Sequence, residues 1–395
     1  MSGNVLLGVT GGIAAYKAAD IVSRLIKQDV NVDVIMTKYA QEFITPMTFQ
    51  SLSGNKTVTD MFDTSFTPDI EHISLAKKAD VILIAPATAN IIAKIAHGIA
   101  DDMLTTVVLA SKAKLIIAPA MNTVMYEAEV TQNNIKTLKE RGVIVIDPVE
   151  GLLACNDLGR GKMEEPENIV EAVLYHLTCS RDLEGKKVLI TAGPTRESID
   201  PVRFITNRST GKMGYEMARE AKRRGADVTL VSGRVNLKAP YGVNLINIES
   251  AQDMYEEVMK RAGESDIIIK SAAVADYTPQ NKSNIKIKKQ SGDMKIELER
   301  THDILFEVGQ AKTDQQILVG FAAETNDVIE NAKSKMQRKN LDFIIANDVK
   351  KEGAGFGTDT NIVTIIPRQG EIEPLPVMKK SEVARAVFDR ILKRL

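Results

Sequence analysis

The chain has 395 residues, 44% of them hydrophobic and 26% charged, with 51 Lys and Arg against 52 Asp and Glu. That length implies two or three domains with substantial cores, and the composition and balanced charge indicate neither wholesale disorder nor a strongly basic nucleic-acid surface. Two cysteines, Cys155 and Cys179, exclude a disulfide framework, and no Cys or His spacing suits a thiolate metal site.

The N-terminus, MSGNVLLGVTGG, has no basic lead, and no later apolar run is long enough to span a bilayer. A cytoplasmic protein with neither a membrane nor a nucleic-acid partner is expected. From there the first half alternates strands and helices. NVLLGVT (4–10) predicts a strand, residues 13–27 recur at helical spacing, and VNVDVIMT (30–37) predicts a second strand. DVILIAPAT (80–88), a helix from Ala89, LIIAPAM (115–121), a helix from Val124, VIVI (143–146) and a helix from Pro166 continue the pattern. Such near-continuous apolar strands suit a parallel sheet covered by helices on both faces.

The polar stretch TCSRDLEGKK (178–187) reads as a linker, after which the pattern restarts with KVLITAG (187–193), a helix over 212–224 and GADVTLVSG (225–233). Here PTRESIDPVRFITNRST is inserted between strand and helix, a length more often functional than idle. Further strands are expected at 266–274, 317–322 and 342–347, and at 285–289 (IKIKK), possible partner of MKIELE (294–299).

The loop GVTGGIAAYK could bring phosphate to a helix N-terminus, but its spacing is not GxGxxG and the second strand ends in Met36-Thr37 where a dinucleotide site wants an acid. A mononucleotide such as FMN and a merely tight turn at Gly11 and Gly12 both remain open. TNRSTGKMG is not a P-loop, since Thr206 replaces the upstream glycine and Met213 the magnesium-binding hydroxyl. Asn207, Arg208, Ser209, Gly211 and Lys212 still crowd a helix start, as an anion site or as ordinary capping by Ser209 or Thr210.

Taken together, GVTGGIAAYK, PATANIIAKIAHGIADDMLTT (86–106), PAMNTVMY (119–126) and ACNDLGRGKM (154–163) resemble the flavin-containing cysteine decarboxylases. GPTRESIDPVRFITNRSTGKMG (193–214), SAAVADY (271–277), KIKK (286–289), GFAAET (320–325) and KNLDFIIAND (339–348) resemble phosphopantothenate–cysteine ligase. In this order and over nearly the whole chain, they resemble the bacterial bifunctional coenzyme A biosynthesis family. The resemblance implies two Rossmann-like domains. Residues 1–180 would be a flavodoxin-like, FMN-binding parallel sheet with decarboxylase activity, and residues 186–395 an α/β nucleotide-binding ligase domain.

It also implies the chemistry. The ligase would activate 4′-phosphopantothenate with CTP and Mg²⁺ as an acyl-cytidylate and couple it to cysteine. Loss of the resulting carboxylate needs an electron sink. If FMN first takes hydride from the carbon bearing sulfur, the thioaldehyde formed accepts the electrons; the ene-thiolate left by CO₂ then needs a proton and a returned hydride. The resemblance makes Cys155 that proton donor, since a thiol of ordinary pKa is mostly protonated at neutral pH. It gives His72 a role as base or in positioning the substrate, where an isolated histidine alone reads as a bystander, as do His97 and His176. Asn122 would grip a carboxylate through its NH₂ group.

For FMN, the resemblance implies Gly12, Ile13, Ala14, Thr37, Thr88, Ala89, Asn90, Ile91 and Ala120. For CTP it implies Lys270, Ser271, Ala272, Asp276, Lys286, His302, Asp303, Ile304, Leu305, Phe321, Lys335 and Lys339. Asn207 would act on the acyl-cytidylate or the incoming amine. Read alone, Lys286 and Lys288 would share one face of a solvated edge strand, and Lys335 and Lys339 stand i,i+4 on a helix. An assembly of identical subunits is expected from the family. A flavin-binding scaffold without catalysis and a nicotinamide-dependent oxidoreductase are the competing classes; the missing dinucleotide fingerprints weigh against the second.

Overall fold

The computed structural model describes residues 3–61, 70–152, 158–178, 180–288, 294–324, 328–348, 355 and 357–395. The chain divides into two compact units, Met1–Cys179 and Ser180–Leu395. Cys155 and Lys289 lie outside the described residues.

In the first unit, strand Asn4–Val9 is buried from Val5 onward and pairs in parallel with Asn31–Met36 on one side and Val81–Ala87 on the other. The six strands run in the order third, second, first, fourth, fifth, sixth, the third and sixth being the short Thr57–Val58 and Ile144–Val145. Alternation along the central strands divides the apolar side chains between two faces. Leu6, Ile82 and Ile84 pack with Ile91, Ile92, Leu104, Val107 and Ile135 from helices Ala89–His97, Met103–Ala110 and Glu129–Glu140. Helix Ala15–Ile26 buries Ala15, Ala18, Ile21, Val22 and Leu25, the i, i+3, i+4 stripe expected of a helix against a sheet, and contacts helix Pro166–Thr178.

The second unit repeats the order third, second, first, fourth, fifth, sixth with Lys187–Ala192 as its first strand. Val188, Ile190 and Ala192 face a core built with helices Lys212–Arg223 and Lys380–Leu392, while Leu189 faces one built with Ala251–Ala262, Ile304–Ala311 and Val328–Arg338. The antiparallel strand Val363–Pro367 then covers the edge of Phe343–Asp348.

The insertion forms an antiparallel hairpin, Arg196–Ser198 with Phe204–Thr206. The strand expected at 285–289 does not form: residues 285–288 are irregular, and Leu298–Arg300 pairs with Tyr277–Pro279 instead. The backbone at Ile287 is instead hydrogen-bonded by side chains of the insertion, which take the place of a ladder partner. Lys339 stands one residue beyond the helix Val328–Arg338, although its N–H still donates to the Lys335 carbonyl at 3.0 Å.

Candidate functional sites

In open parallel sheets ligands collect at the carboxyl ends of the strands where the order reverses. In both units that point lies between the first and fourth strands.

In the first unit Thr10, just past the first strand, donates its hydroxyl to the Pro86 carbonyl at 2.7 Å and accepts the Thr88 N–H at 3.3 Å, tying the two strand ends together. Thr88 in turn caps helix Ala89–His97, its hydroxyl oxygen accepting the Ile91 N–H at 3.4 Å. A cavity of about 1040 Å³ opens above these strand ends. Its lining includes all nine residues expected for FMN, Gly12, Ile13, Ala14, Thr37, Thr88, Ala89, Asn90, Ile91 and Ala120, together with Asn122. Backbone N–H groups at a helix start, two threonine hydroxyls, a carboxamide and apolar walls are the donor set that a phosphate, a ribityl chain and a flat ring require, and the volume suits them.

Asn122 is oriented by its own helix: its Oδ1 accepts the Val124 N–H at 2.8 Å, so the NH₂ group is the donor end presented elsewhere. The adjacent Met121 N–H donates to the Gly161 carbonyl at 3.0 Å, joining this corner to the hairpin Val149–Leu152 and Leu158–Lys162. Residues 153–157 of that hairpin, Cys155 among them, are outside the described residues. His72 lies on helix Glu71–Lys78, half-buried, and is not among the residues lining the cavity.

Sequence reasoning missed Lys17, Lys38, Lys94 and Lys162, four cations of the same cavity wall. Lys17 is 9% exposed and its Nζ donates to Glu165 at 3.0 Å. A lysine on the apolar face of helix Ala15–Ile26 was the available signal. Lys94 is held charged by its hydrogen bond to Asp101 at 2.6 Å, helped by Asp102 at 3.3 Å.

In the second unit, Ser271 N–H donates to the Thr191 carbonyl at 3.3 Å and Ala272 N–H to the Thr191 hydroxyl at 3.2 Å, so the segment after the fourth strand is laced to the first. Asn207 donates its amide to the carbonyls of Ala273 at 3.0 Å and Val274 at 3.3 Å. Asp303 caps helix Ile304–Ala311 through the Phe306 N–H and pairs with Lys339 at 2.8 Å. His302 stacks on Tyr255 with centroids 4.1 Å apart, and both reach Glu307, at 3.1 and 2.8 Å. Lys270, Asp303 and Lys339 interact electrostatically. Asp276 and Lys286 are exposed, and Phe321 is half-buried against the core. Lys335 meets the Asp303–Lys339 pair through its backbone carbonyl, which accepts the Lys339 N–H at 3.0 Å.

The TGK lysine is engaged within the unit: Lys212 Nζ lies 2.7 Å from both the Gly357 carbonyl and the Asp359 carboxylate. Gly211, at φ +78°, is itself the N-cap, and Ser209 accepts its N–H at 3.3 Å. Among the described residues no group of three or more His, Cys, Asp or Glu could hold a metal ion, and no helix is long and apolar enough to cross a membrane.

Comparison with known proteins assigns both units. Residues 2–178 match the family model described as Flavoprotein, and residues 183–395 the one described as DNA/pantothenate metabolism flavoprotein C-terminal domain. The coenzyme A biosynthesis bifunctional protein CoaBC of Bacillus subtilis (strain 168) is 53% identical over 391 residues, 98% of this chain and 96% of that protein. That of Escherichia coli (strain K12) is 42% identical over 393 residues, 99% of this chain and 97% of that protein. A crystal structure of the C-terminal domain of a CoaBC protein is 47% identical, with a TM-score of 0.47, covering 54% of this chain and 97% of that one.

Proposed function

The chain belongs to the bifunctional coenzyme A biosynthesis proteins, a phosphopantothenoylcysteine decarboxylase joined to a phosphopantothenate–cysteine ligase, and from this we propose how its residues divide the work. Residues 1–180 hold FMN and decarboxylate; residues 186–395 use CTP, with Mg²⁺ accompanying its phosphates, to join 4′-phosphopantothenate to cysteine in the cytoplasm. The observation that carries the first assignment is the common cavity of Gly12, Ile13, Ala14, Thr37, Thr88, Ala89, Asn90, Ile91 and Ala120.

FMN, when bound, supplies the hydride acceptor and donor that the decarboxylation requires. The chain's own residues bind and orient. Amides at Gly12, Ile13 and Ala14 meet the phosphate, Thr37 and Thr88 the sugar alcohol, and Asn122 the substrate carboxylate through its NH₂ group. Cys155 delivers the proton that the ene-thiolate carbon must gain after CO₂ leaves, and His72 positions the substrate.

In the ligase unit Lys286, Lys335 and Lys339 neutralise the triphosphate as diphosphate leaves, while Ser271, Ala272, Asp276, His302, Asp303, Ile304, Leu305 and Phe321 surround the nucleotide. Asn207, tethered to the Ala273 and Val274 carbonyls through its NH₂ group, offers Oδ1 to the incoming amine. Subunits assemble as a homo-oligomer.

Mass spectrometry of the products from 4′-phosphopantothenate, cysteine, CTP and Mg²⁺ tests both halves at once. 4′-Phosphopantetheine is the expected product. Arrest at phosphopantothenoylcysteine would sink the decarboxylase assignment for flavin-loaded protein, and no product at all would sink both.

A further inference from the structure

Lys270 is the last residue of the strand Ile267–Lys270, paired with Thr191 on one side and Gly320 on the other, at the point where the strand order reverses. Its side chain follows three isoleucines into the interior, and the residue is only 7% exposed. Yet its Nζ has no hydrogen-bond partner among the described residues. An ammonium so placed has given up hydration without a replacement, a cost that an apolar residue here would avoid.

Two charged groups act on it from the elements packed over the strand end. Asp303, at the start of helix Ile304–Ala311, favours its charge, and Lys339, just beyond helix Val328–Arg338, opposes it. The two are already paired with each other at 2.8 Å, so Asp303 cannot serve Lys270 alone. Burial dominates and holds the Lys270 amine down to about 7 in the free protein.

We propose that Lys270 is a proton-coupled binding residue for a nucleoside triphosphate, its ammonium being completed by the phosphates of the bound nucleotide, so that binding draws one proton from solvent onto Nζ. The proposal rests on the assignment of Asp303 and Lys339 to the nucleotide site. An anion of several charges brought to the Asp303–Lys339 pair favours the protonated amine and raises its proton affinity. Above neutral pH the free site carries mostly neutral amine and the occupied site ammonium. Affinity is therefore greatest below pH 7 and weakens as pH rises, until the bound-state pKa is passed.

Calorimetric titration of the full-length protein with CTP at fixed excess Mg²⁺, near pH 8 and in buffers of different ionisation enthalpy, measures the proton directly. CTP is itself ionised there. Wild type is expected to take up close to one proton more per CTP than Lys270→Met, and its dissociation constant to rise by up to about tenfold per pH unit above 7, the limit for one linked proton. Lys270→Arg, charged throughout, should bind CTP without that slope, and it decides the question if Lys270→Met does not fold. Equal proton uptake and equal slope in wild type and variant overturn the proposal. Lys339→Ala separates this from failure of the site itself. If that variant binds CTP as wild type does, the site assignment falls and the proposal with it. If it loses CTP while Lys270→Met keeps the uptake, only the role of Lys270 falls.

Discussion

Asp200 accepts the backbone N–H of Ile287 at 3.1 Å across 87 residues of chain, and so fixes the segment that carries Lys286. Its carboxylate also takes the Arg203 guanidinium at 2.6 and 3.0 Å and the N–H groups of Val202 and Arg203, while Arg203 donates to the Ile287 carbonyl at 3.1 Å. The two side chains thus hold both polar groups of one peptide residue. The insertion after the first strand of the second unit is a clamp on the lysine segment.

Asp200→Asn keeps the shape but removes the charge that makes these bonds strong. The expected outcome is a several-fold rise in the ligase KM for CTP with decarboxylation of supplied phosphopantothenoylcysteine unchanged. An unaltered KM would disconnect the clamp from nucleotide binding. The Arg203 hydrogen bond, and then the backbone donors, hold the Asp200 carboxyl well below the usual carboxylate range. A depressed carboxyl contributes stability that is present above its unfolded value and lost only as pH falls through the folded one. The clamp should therefore survive at pH 4 and open at more acid pH, followed by hydrogen exchange at the Ile287 amide.

Gly161, at φ +140°, supplies the carbonyl that receives Met121, and a Cβ there would lie 2.3 Å from the Met121 carbonyl oxygen. Neither conformation nor space admits a side chain. Gly161→Ala should make phosphopantothenoylcysteine accumulate in the coupled assay, with CTP consumption intact.

Thr88→Val removes the cap on helix Ala89–His97, a loss of about 1 kcal/mol, and a hydroxyl from a residue of the cavity wall. Weaker FMN retention is expected, read as recovered flavin fluorescence on dilution. Retention equal to wild type would take Thr88 out of the cofactor set.

Cys155→Ser should still release CO₂ from phosphopantothenoylcysteine without forming the saturated product. Normal yield of 4′-phosphopantetheine would remove Cys155 from the mechanism.

Lys270 makes a stability prediction as well. Its pKa falls from 10.5 to about 7 on folding, chiefly by burial. The penalty is complete below about pH 7 and gone above about 10.5, so stability of the second unit should climb across that window. Lys270→Met should flatten the climb and raise stability at neutral pH by on the order of 1 kcal/mol, measured by urea unfolding followed in that unit.

The alternating strands and helices of the first unit were legible because buried parallel strands are apolar throughout and each helix carries a regular stripe. Strand Asn4–Val9, helix Ala15–Ile26 and strand Val81–Ala87 fall within a few residues of where periodicity put them. The region at 285–289 misled because KIKK alternates as a strand does, while the partners of Ile287 are side chains from residues 200 and 203, which no local pattern reveals. The residues expected for FMN, which line one cavity, came through motif resemblance, whereas Lys17 was hidden because a cation on an apolar face is ambiguous until Glu165 is seen beside it. Lys212 could be placed at a crowded helix start from its TGK context, but its pairing with Asp359, far along the chain, has no local signal.

Each main sheet is drawn from one continuous stretch of sequence: among the described residues the strands of the first lie within 4–145 and those of the second begin at residue 187. A ribosome has therefore synthesised every described strand and helix of the flavin unit before the first strand of the ligase unit exists. At roughly 5–20 residues per second, the remaining chain takes about 10–40 s to synthesise, ample time for a single domain to condense. The nascent decarboxylase can complete its core unchallenged by a second, similarly patterned sheet whose strands could otherwise add to its open edges.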